Sequence, residues 1–368
     1  MDFSFSPDQQ LLKNSARGFL DEHVKPAHVR ALWDDGRGES EALWKEMAQL
    51  GWLGLALPED AGGSALGLVE TAILEEELGR AACPSPYLPT VLAAMAIDRF
   101  GSAAQKSRWL PAVAGGGARA TVALMERELD WGAGSVQTRA EERGGKTVLT
   151  GVKQFVPWAH VADVILVPAV AGASIAVYTV DASAPGVTVT PLSSMDPGLR
   201  LSTVTLDGAT VAGEARLPSA GVLEFLLERG AVAAAAEMLG AARRCLDMAV
   251  DYAKVREQFG QPIGSFQAIR HKCAEMLLDV ENSHAAVYYA AWSLEHGAAD
   301  GALSASVAKA YVSEAARKVC GDAIQVHGGI GFTWEYDLHL YFKRAKALEP
   351  MFGDADYHHE LIVRRVAR

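Results

Sequence analysis

The sequence predicts an α+β protein in three parts: an N-terminal helical domain, a middle β-barrel or sandwich, and a C-terminal four-helix bundle. Three observations carry this. Apolar residues recur at helical spacing over residues 1–118, and short β-branched runs between Gly, Asp and Pro fill 119–217. A long apolar stripe then resumes within 218–368. This order is not the alternating strand–helix order of a doubly wound sheet.

The first element opens at Ser6-Pro7-Asp8-Gln9, which reads as a capping box with Pro at the first helical position. Leu12, Phe19 and Leu20 can share the face that follows. Leu43, Met47 and Leu50 mark a second amphipathic pattern beginning at Ser40. Pro58–Gly67 is rich in turn residues, and helical spacing returns over Leu68–Leu78. Glu75, Glu76 and Glu77 form a charge run there, expected to be a solvated face.

Strands are expected at Thr121–Leu124, Thr147–Gln154, Val164–Val167, Ile175–Val180, Gly186–Thr190 and, less regularly, Arg200–Leu206. Val164–Val180 lacks charge and approaches the length of a membrane span. Its Pro168, Gly172 and Ser174 instead favour two buried strands around a turn at Ala171–Ala173. Beyond Pro218, Val232, Ala235, Leu239, Ala242, Leu246, Ala249 and Ala253 alternate spacings of three and four along one helix face. Cys273, Met276, Leu277, Val280, Val287 and Leu294 mark a second long helix. Ala302–Val326 marks a third, stopped by Gly328-Gly329.

Composition narrows the function. The 368 residues carry 34 basic and 45 acidic side chains, a net charge of −11, which argues against a nucleic-acid partner. Half of the residues are hydrophobic, enough to exclude a disordered chain. Cys83, Cys245, Cys273 and Cys320 lie far apart without a CxxC pair, so no zinc site or disulfide framework is expected. His358-His359 are adjacent rather than one helical turn apart, and read as a surface pair rather than metal ligands. The opening MDFSFSPDQQ has neither a basic nor an apolar leader region, so a cytoplasmic protein is expected. There is no GxGxxG after a strand, no P-loop and no GxSxG.

Two segments carry chemistry. In Tyr252–Met276 a helix ends near Phe259-Gly260, and Arg256 ahead of the turn can grip an anion bidentately. A surface salt bridge to Glu257 or Asp251 is the plainer reading of that arginine. In Gln325–Arg344 the glycines Gly328, Gly329 and Gly331 allow close backbone approach, and Phe332 and Trp334 offer aromatic faces. The plainer reading is a glycine-ended helix followed by core aromatics.

Taken together, REQFGQPIGSFQ and QVHGGIGFTWEYDLHLYFKRA at this separation resemble the acyl-CoA dehydrogenase family, as do FSPDQQLLKNSARGFL and LPEDAGGSALGL. The resemblance spans essentially the whole chain. It implies a noncovalent FAD, an acyl-CoA substrate, and electrons leaving to an electron-transfer flavoprotein or similar acceptor. It also implies a homodimer or homotetramer, or a heterotetramer with a homologous subunit, without a membrane. Arg256, Gln258 and Phe259 match the element that reaches a neighbouring subunit's flavin. Gln325, Gly328 and Gly329 match the segment that contacts the FAD diphosphate region, again across a subunit contact. Phe155 in GVKQFVPWAHVADVILV matches the residue against the flavin ring. Ser135 in WGAGS lies in the loop between flavin and the pantetheine arm.

The departures sharpen the question. Pro157 replaces the hydroxyl residue that usually bonds flavin N5, Met125 stands where threonine is common before Glu126, and the following loop is longer. Phe352-Gly353 replaces the Glu-Gly pair that usually supplies the base, and the alternative position on the long helix is Gly230. Glu237, alone among apolar residues two turns along that helix, is one substitute; its plainer role is a salt bridge to Arg243 or Arg244. Asp354 is the other, and its plainer role is a helix N-cap. The expected function is α,β-dehydrogenation of a bulky or branched acyl-CoA, by removal of the α-proton and transfer of the β-hydride to flavin N5. The alternatives are a catalytically silent subunit of a heteromeric dehydrogenase and a flavin oxidase of the same superfamily.

Overall fold

The computed structural model describes residues 5–128 and 130–367. Residues 1–4 of the opening segment, and Leu129 in the lengthened loop, lie outside them. The first helices are α1 (Pro7–His23), α2 (Pro26–Asp34), α3 (Glu41–Gln49), α4 (Leu68–Arg80), α5 (Tyr87–Phe100) and α6 (Ala103–Ala114). The strands are β1 (Ala120–Val122), β2 (Arg139–Arg143), β3 (Lys146–Pro157), β4 (Val164–Ala171), β5 (Ser174–Asp181), β6 (Val187–Leu192) and β7 (Leu201–Ala212). The last helices are α7 (Val222–Val255), α8 (Gln267–Glu295), α9 (Gly301–His327), α10 (Leu338–Leu348) and α11 (Ala355–Val366). A short hairpin, β8 (Glu257–Gln258) and β9 (Gln261–Pro262), separates α7 from α8. Helical, β and helical regions thus follow one another as the sequence predicts.

Two compact units contain these elements. One gathers the described residues of Met1–Ala31, Leu68–Cys83 and Ala231–Arg368. Its helices start where the sequence says: Ser6 caps α1, accepting from Gln9 N while Gln9 Oε1 accepts from Ser6 N. Every member of the α7 stripe from Val232 to Ala253 is buried. On α8, Met276, Val280, Val287 and Leu294 are buried, whereas Leu277 faces outward. Helix α7 crosses α4 at reciprocal glycines, because a Cβ at Gly79 would overlap the Glu237 carbonyl and one at Gly240 the Glu76 carbonyl.

The Glu75–Glu77 run corrects the expectation of a solvated face, since all three carboxylates are buried. Glu76 accepts from Lys13 Nζ and Tyr288 Oη, both at 2.6 Å. Arg17 grips Glu77 bidentately at 2.7 and 3.0 Å. Cations from distant helices make this burial tolerable, and a local charge count does not contain them.

The other unit comprises Leu32–Gly67 and Pro84–Gly230. Its seven-stranded sheet runs β1-β4-β2-β3-β7-β6, with β5 paired to β4. The uncharged run is the predicted strand pair: β4 and β5 are antiparallel, Ala171 opposite Ser174, with Gly172 at φ 64° in the two-residue turn. Leu149, Val156, Ile165, Tyr178, Val204 and Leu206 lie in the sheet's core. Sequence pattern missed β2, because Arg139–Arg143 carries charge at four of five positions and is mostly exposed. No helix among the described residues is long and apolar enough to cross a membrane.

Candidate active site

Strand β3 carries the first group of candidate residues. Lys153 pairs with Val204 and Val156 with Ser202, so Gln154 and Phe155 oppose a single residue of β7. This is a bulge, and Phe155 turns through it at φ 51° with its ring about half exposed. Pro157 is buried, and its carbonyl accepts from Thr121 Oγ1. Met125 is buried, with its carbonyl accepting from Gln154 N at 2.9 Å. The Ser135 hydroxyl lies 2.7 Å from the Gly132 carbonyl and 2.9 Å from that of Asp130, inside its own loop.

The second group lies in the helical unit. Helix α7 gives way to the β8–β9 hairpin, whose central residues Phe259 and Gly260 both have positive φ, at 54° and 78°. That turn leaves Phe259 93% exposed. Arg256 is exposed and has no ion-pair partner among the described residues, while Asp251 pairs with Lys254 at 3.3 Å. Gln258 Nε2 donates to the Glu257 carbonyl. At the end of α9, Gln325 is exposed, and Gly328 turns at φ 64° with open space where a Cβ would stand; Gly329 is likewise open. The Tyr252 ring stacks on His327 at 4.3 Å, which ties the end of α7 to the end of α9. Two motifs about seventy residues apart in sequence therefore become neighbours.

The carboxylates are more constrained than the sequence suggests. Glu237 bonds Arg344 Nη1 at 2.7 Å, with side-chain exposures of 10% and 3%. The nearer arginine Arg243 goes instead to Glu281 at 3.0 Å and Glu76 at 3.3 Å. Arg344 also donates to the Cys83 carbonyl at 3.0 Å. Burial and then the charge of Glu237 hold the neighbouring Glu75 carboxyl well above the usual range. Asp354 caps α11, accepting from Tyr357 N at 2.9 Å.

The Phe352-Gly353 loop is held firmly. Phe352 is buried at φ 58°, and His358 Nε2 donates to its carbonyl at 2.9 Å. Lys309 Nζ donates to the carbonyls of Gly353 and Glu349 at 2.6 and 2.7 Å, and lies 3.1 Å from Ser313 Oγ. Burial pushes this ammonium down to about 7. Sequence reasoning passed over Lys309, Arg344 and Lys153. A lone cation inside an apolar run, as in ASVAKAYV, was the available signal for the first.

These features can be set beside known proteins. Residues 6–117 match the family description "Acyl-CoA dehydrogenase, N-terminal domain", and residues 221–367 match "Acyl-CoA dehydrogenase, C-terminal domain". A probable acyl-CoA dehydrogenase of Bacillus subtilis, YngJ, is 32% identical and covered in full by the alignment, as is this chain. The ChsE4–ChsE5 complex of Mycobacterium tuberculosis superposes with a TM-score of 0.94 at 32% identity, over 100% of this chain and 99% of that one. A Tcur3481–Tcur3483 steroid ACAD variant gives 0.91 at 34% identity, over 98% of both chains. The chain belongs to the acyl-CoA dehydrogenase family, a family of oxidoreductases.

Proposed function

We propose that the chain is a subunit of an FAD-dependent acyl-CoA dehydrogenase that desaturates a bulky acyl-CoA thioester between Cα and Cβ. The observation that carries this is the pairing of an exposed Phe259 and an exposed Arg256, which has no ion-pair partner among the described residues, with the open Gly328-Gly329 turn, joined through Tyr252 and His327. A cation, an aromatic face and a backbone without side chains suit a dinucleotide, which is anionic and flat. Bound FAD supplies the acceptor for the β-hydride.

The chain's own residues would do the rest. Arg256 offers a guanidinium to the diphosphate, Gln258 and Gln325 offer amides, and Gly328 and Gly329 admit the ligand to the backbone. The half-exposed Phe155 provides an apolar face for the flavin ring, and Phe259, as the family resemblance implies, offers its face to a neighbouring subunit's cofactor. Ser135 holds its loop in shape. Met125 and Pro157 present no side-chain donor, so a hydrogen bond to flavin N5 has to come from elsewhere. Glu237 is the first candidate to take the α-proton and Asp354 the second. The steroid designation of the Tcur3481–Tcur3483 protein supports a bulky acyl group. An electron-transfer flavoprotein or similar cytoplasmic acceptor would reoxidise the enzyme.

A second reading rests on the locked carboxylates. Glu237 is tied to Arg344, Asp354 caps a helix, and Phe352 fills the position of the usual base. A homologous subunit would then bring the base; that a similar chain occurs in the ChsE4–ChsE5 complex supports a two-component assembly. The test is to purify the chain alone and co-expressed with a homologous neighbour, then measure flavin per chain and anaerobic bleaching by a steroid side-chain acyl-CoA. Bleaching by the chain alone that is lost in Glu237→Gln supports the first reading. Bleaching only in the complex supports the second. Peroxide release without an added acceptor would point to oxidase chemistry. Absence of flavin in both preparations overturns the proposal.

A further inference from the structure

The β unit also holds a buried ion pair at the root of the long loop. Glu126 is 5% exposed and the Lys153 side chain is fully buried. Lys153 Nζ donates to Glu126 Oε1 at 2.6 Å and to the Pro168 carbonyl at 2.7 Å. The same carboxylate accepts from Gln137 N at 2.9 Å, Thr138 N at 3.1 Å and Thr138 Oγ1 at 2.8 Å. One side chain at the loop's entrance thus binds the backbone at its exit. Between them lie Trp131 and Ser135.

We infer that Glu126 and Lys153 are positioning residues: a clamp that holds the described residues of the loop 127–136 in register with the Phe155 bulge, so that both are preset for flavin and acyl-CoA. The inference rests on the proposed FAD-dependent reading of the site. Its geometry has three ties. Lys153 is the last regular pair before the bulge, two residues ahead of Phe155. Gln154, between them, donates its amide to the Met125 carbonyl, immediately before Glu126. Thr138 packs against β3 at Gly151, where any added Cβ would overlap it. The loop's entrance, its exit and the bulge are therefore fastened at one place.

Stability alone is a poor account of this pair. A buried ion pair commonly adds little over apolar residues of the same volume, because desolvation cancels most of the attraction. What it adds is a fixed arrangement, since each partner tolerates few alternatives. Burial presses the Lys153 ammonium down to about 8, and Glu126 is the anion that opposes this. Burial pushes Glu126 upward, but Lys153 and the Thr138 bonds more than offset it, leaving the carboxyl below its usual value.

The test uses the full-length chain, in whichever assembly carries flavin, with Glu126→Gln and the double variant Glu126→Gln/Lys153→Met. The double variant removes both charges, so it keeps a folded sample if the single change leaves Lys153 unpaired and misfolds. Amide exchange at Gln137 and Thr138 and tryptic cleavage after the exposed Arg127 report the loop without any flavin. Both are expected to accelerate by at least about tenfold, with FAD affinity of the stripped protein falling by about tenfold and far-UV dichroism unchanged. Unchanged exchange and cleavage would overturn the clamp. A loosened loop with FAD and CoA-thioester affinities within about twofold of wild type would overturn its positioning role. A wild-type assembly that takes up no flavin would instead sink the FAD reading and the positioning role with it, while the loop readouts still decide whether the clamp exists.

Discussion

Replacing Glu237 by Gln is expected to cost less than replacing its partner Arg344 by Met, and Glu75 is the reason. Arg344 is almost fully buried and takes a carboxylate from Glu237 and a carbonyl from Cys83. Removing it strands a buried anion, which costs about 3–5 kcal/mol. In Glu237→Gln the charge that adds to burial in raising the Glu75 pKa disappears, so that pKa falls and its carboxylate can take over Arg344. The loss is then about 1–2 kcal/mol. Glu75→Gln by itself is expected to cost about 0.5 kcal/mol or less, because the raised pKa favours the neutral acid, which glutamine resembles in size and charge. The double variant Glu75→Gln/Glu237→Gln leaves Arg344 without any anion and returns the cost to about 3–5 kcal/mol. Urea unfolding followed by far-UV dichroism on all four proteins closes the cycle, with an expected coupling of at least about 1 kcal/mol. Additivity within about 0.5 kcal/mol would refute the idea that the two glutamates share one arginine. Flavin bleaching of the same Glu237→Gln sample separates this structural role from proton abstraction.

Three further outcomes are expected. Gly79→Ala and Gly240→Ala each drive a methyl into a facing helix carbonyl, and should lower stability by about 3 kcal/mol in urea titrations. Burial holds His358 near 3, far below an ordinary imidazole, so between these values the unfolded chain takes up a proton that the folded chain refuses. Stability should therefore fall by about 1 kcal/mol from pH 6 to pH 5 on this account, and His358→Gln should flatten the slope in urea midpoints taken across that range. Phe155→Gly relieves a left-handed backbone at a half-exposed site and should raise the unfolding free energy in urea titrations by up to about 1 kcal/mol while weakening FAD binding in fluorescence titrations.

The order of helices and strands was legible because periodicity is a local property. The α7 stripe, the Ser6 cap and the β4–β5 hairpin each need only a few neighbouring residues to specify them. Charge was misread where its meaning is set at long range. Glu75–Glu77 look solvated until Lys13, Arg17 and Tyr288 arrive from other helices. Glu237 was recognised as anomalous within its apolar run, yet its partner lies 107 positions away, beyond any spacing argument. The candidate site shows the same division: the arginine and glycine motifs stood out in sequence, whereas the Tyr252–His327 stack that joins them did not.

The composition of the helical unit also sets an order on folding. Glu76 and Glu77 meet Lys13, Arg17 and Arg80 within α1 and α4 themselves, whereas Arg243 and Tyr288 reach Glu76 from α7 and α8. The α1–α4 pair therefore offsets part of its own charge before the long helices cover it. Its docking onto α7 and α8 is a separate, later step of folding, and until that step the pair shows an acidic, half-sealed face to the cell's quality-control machinery.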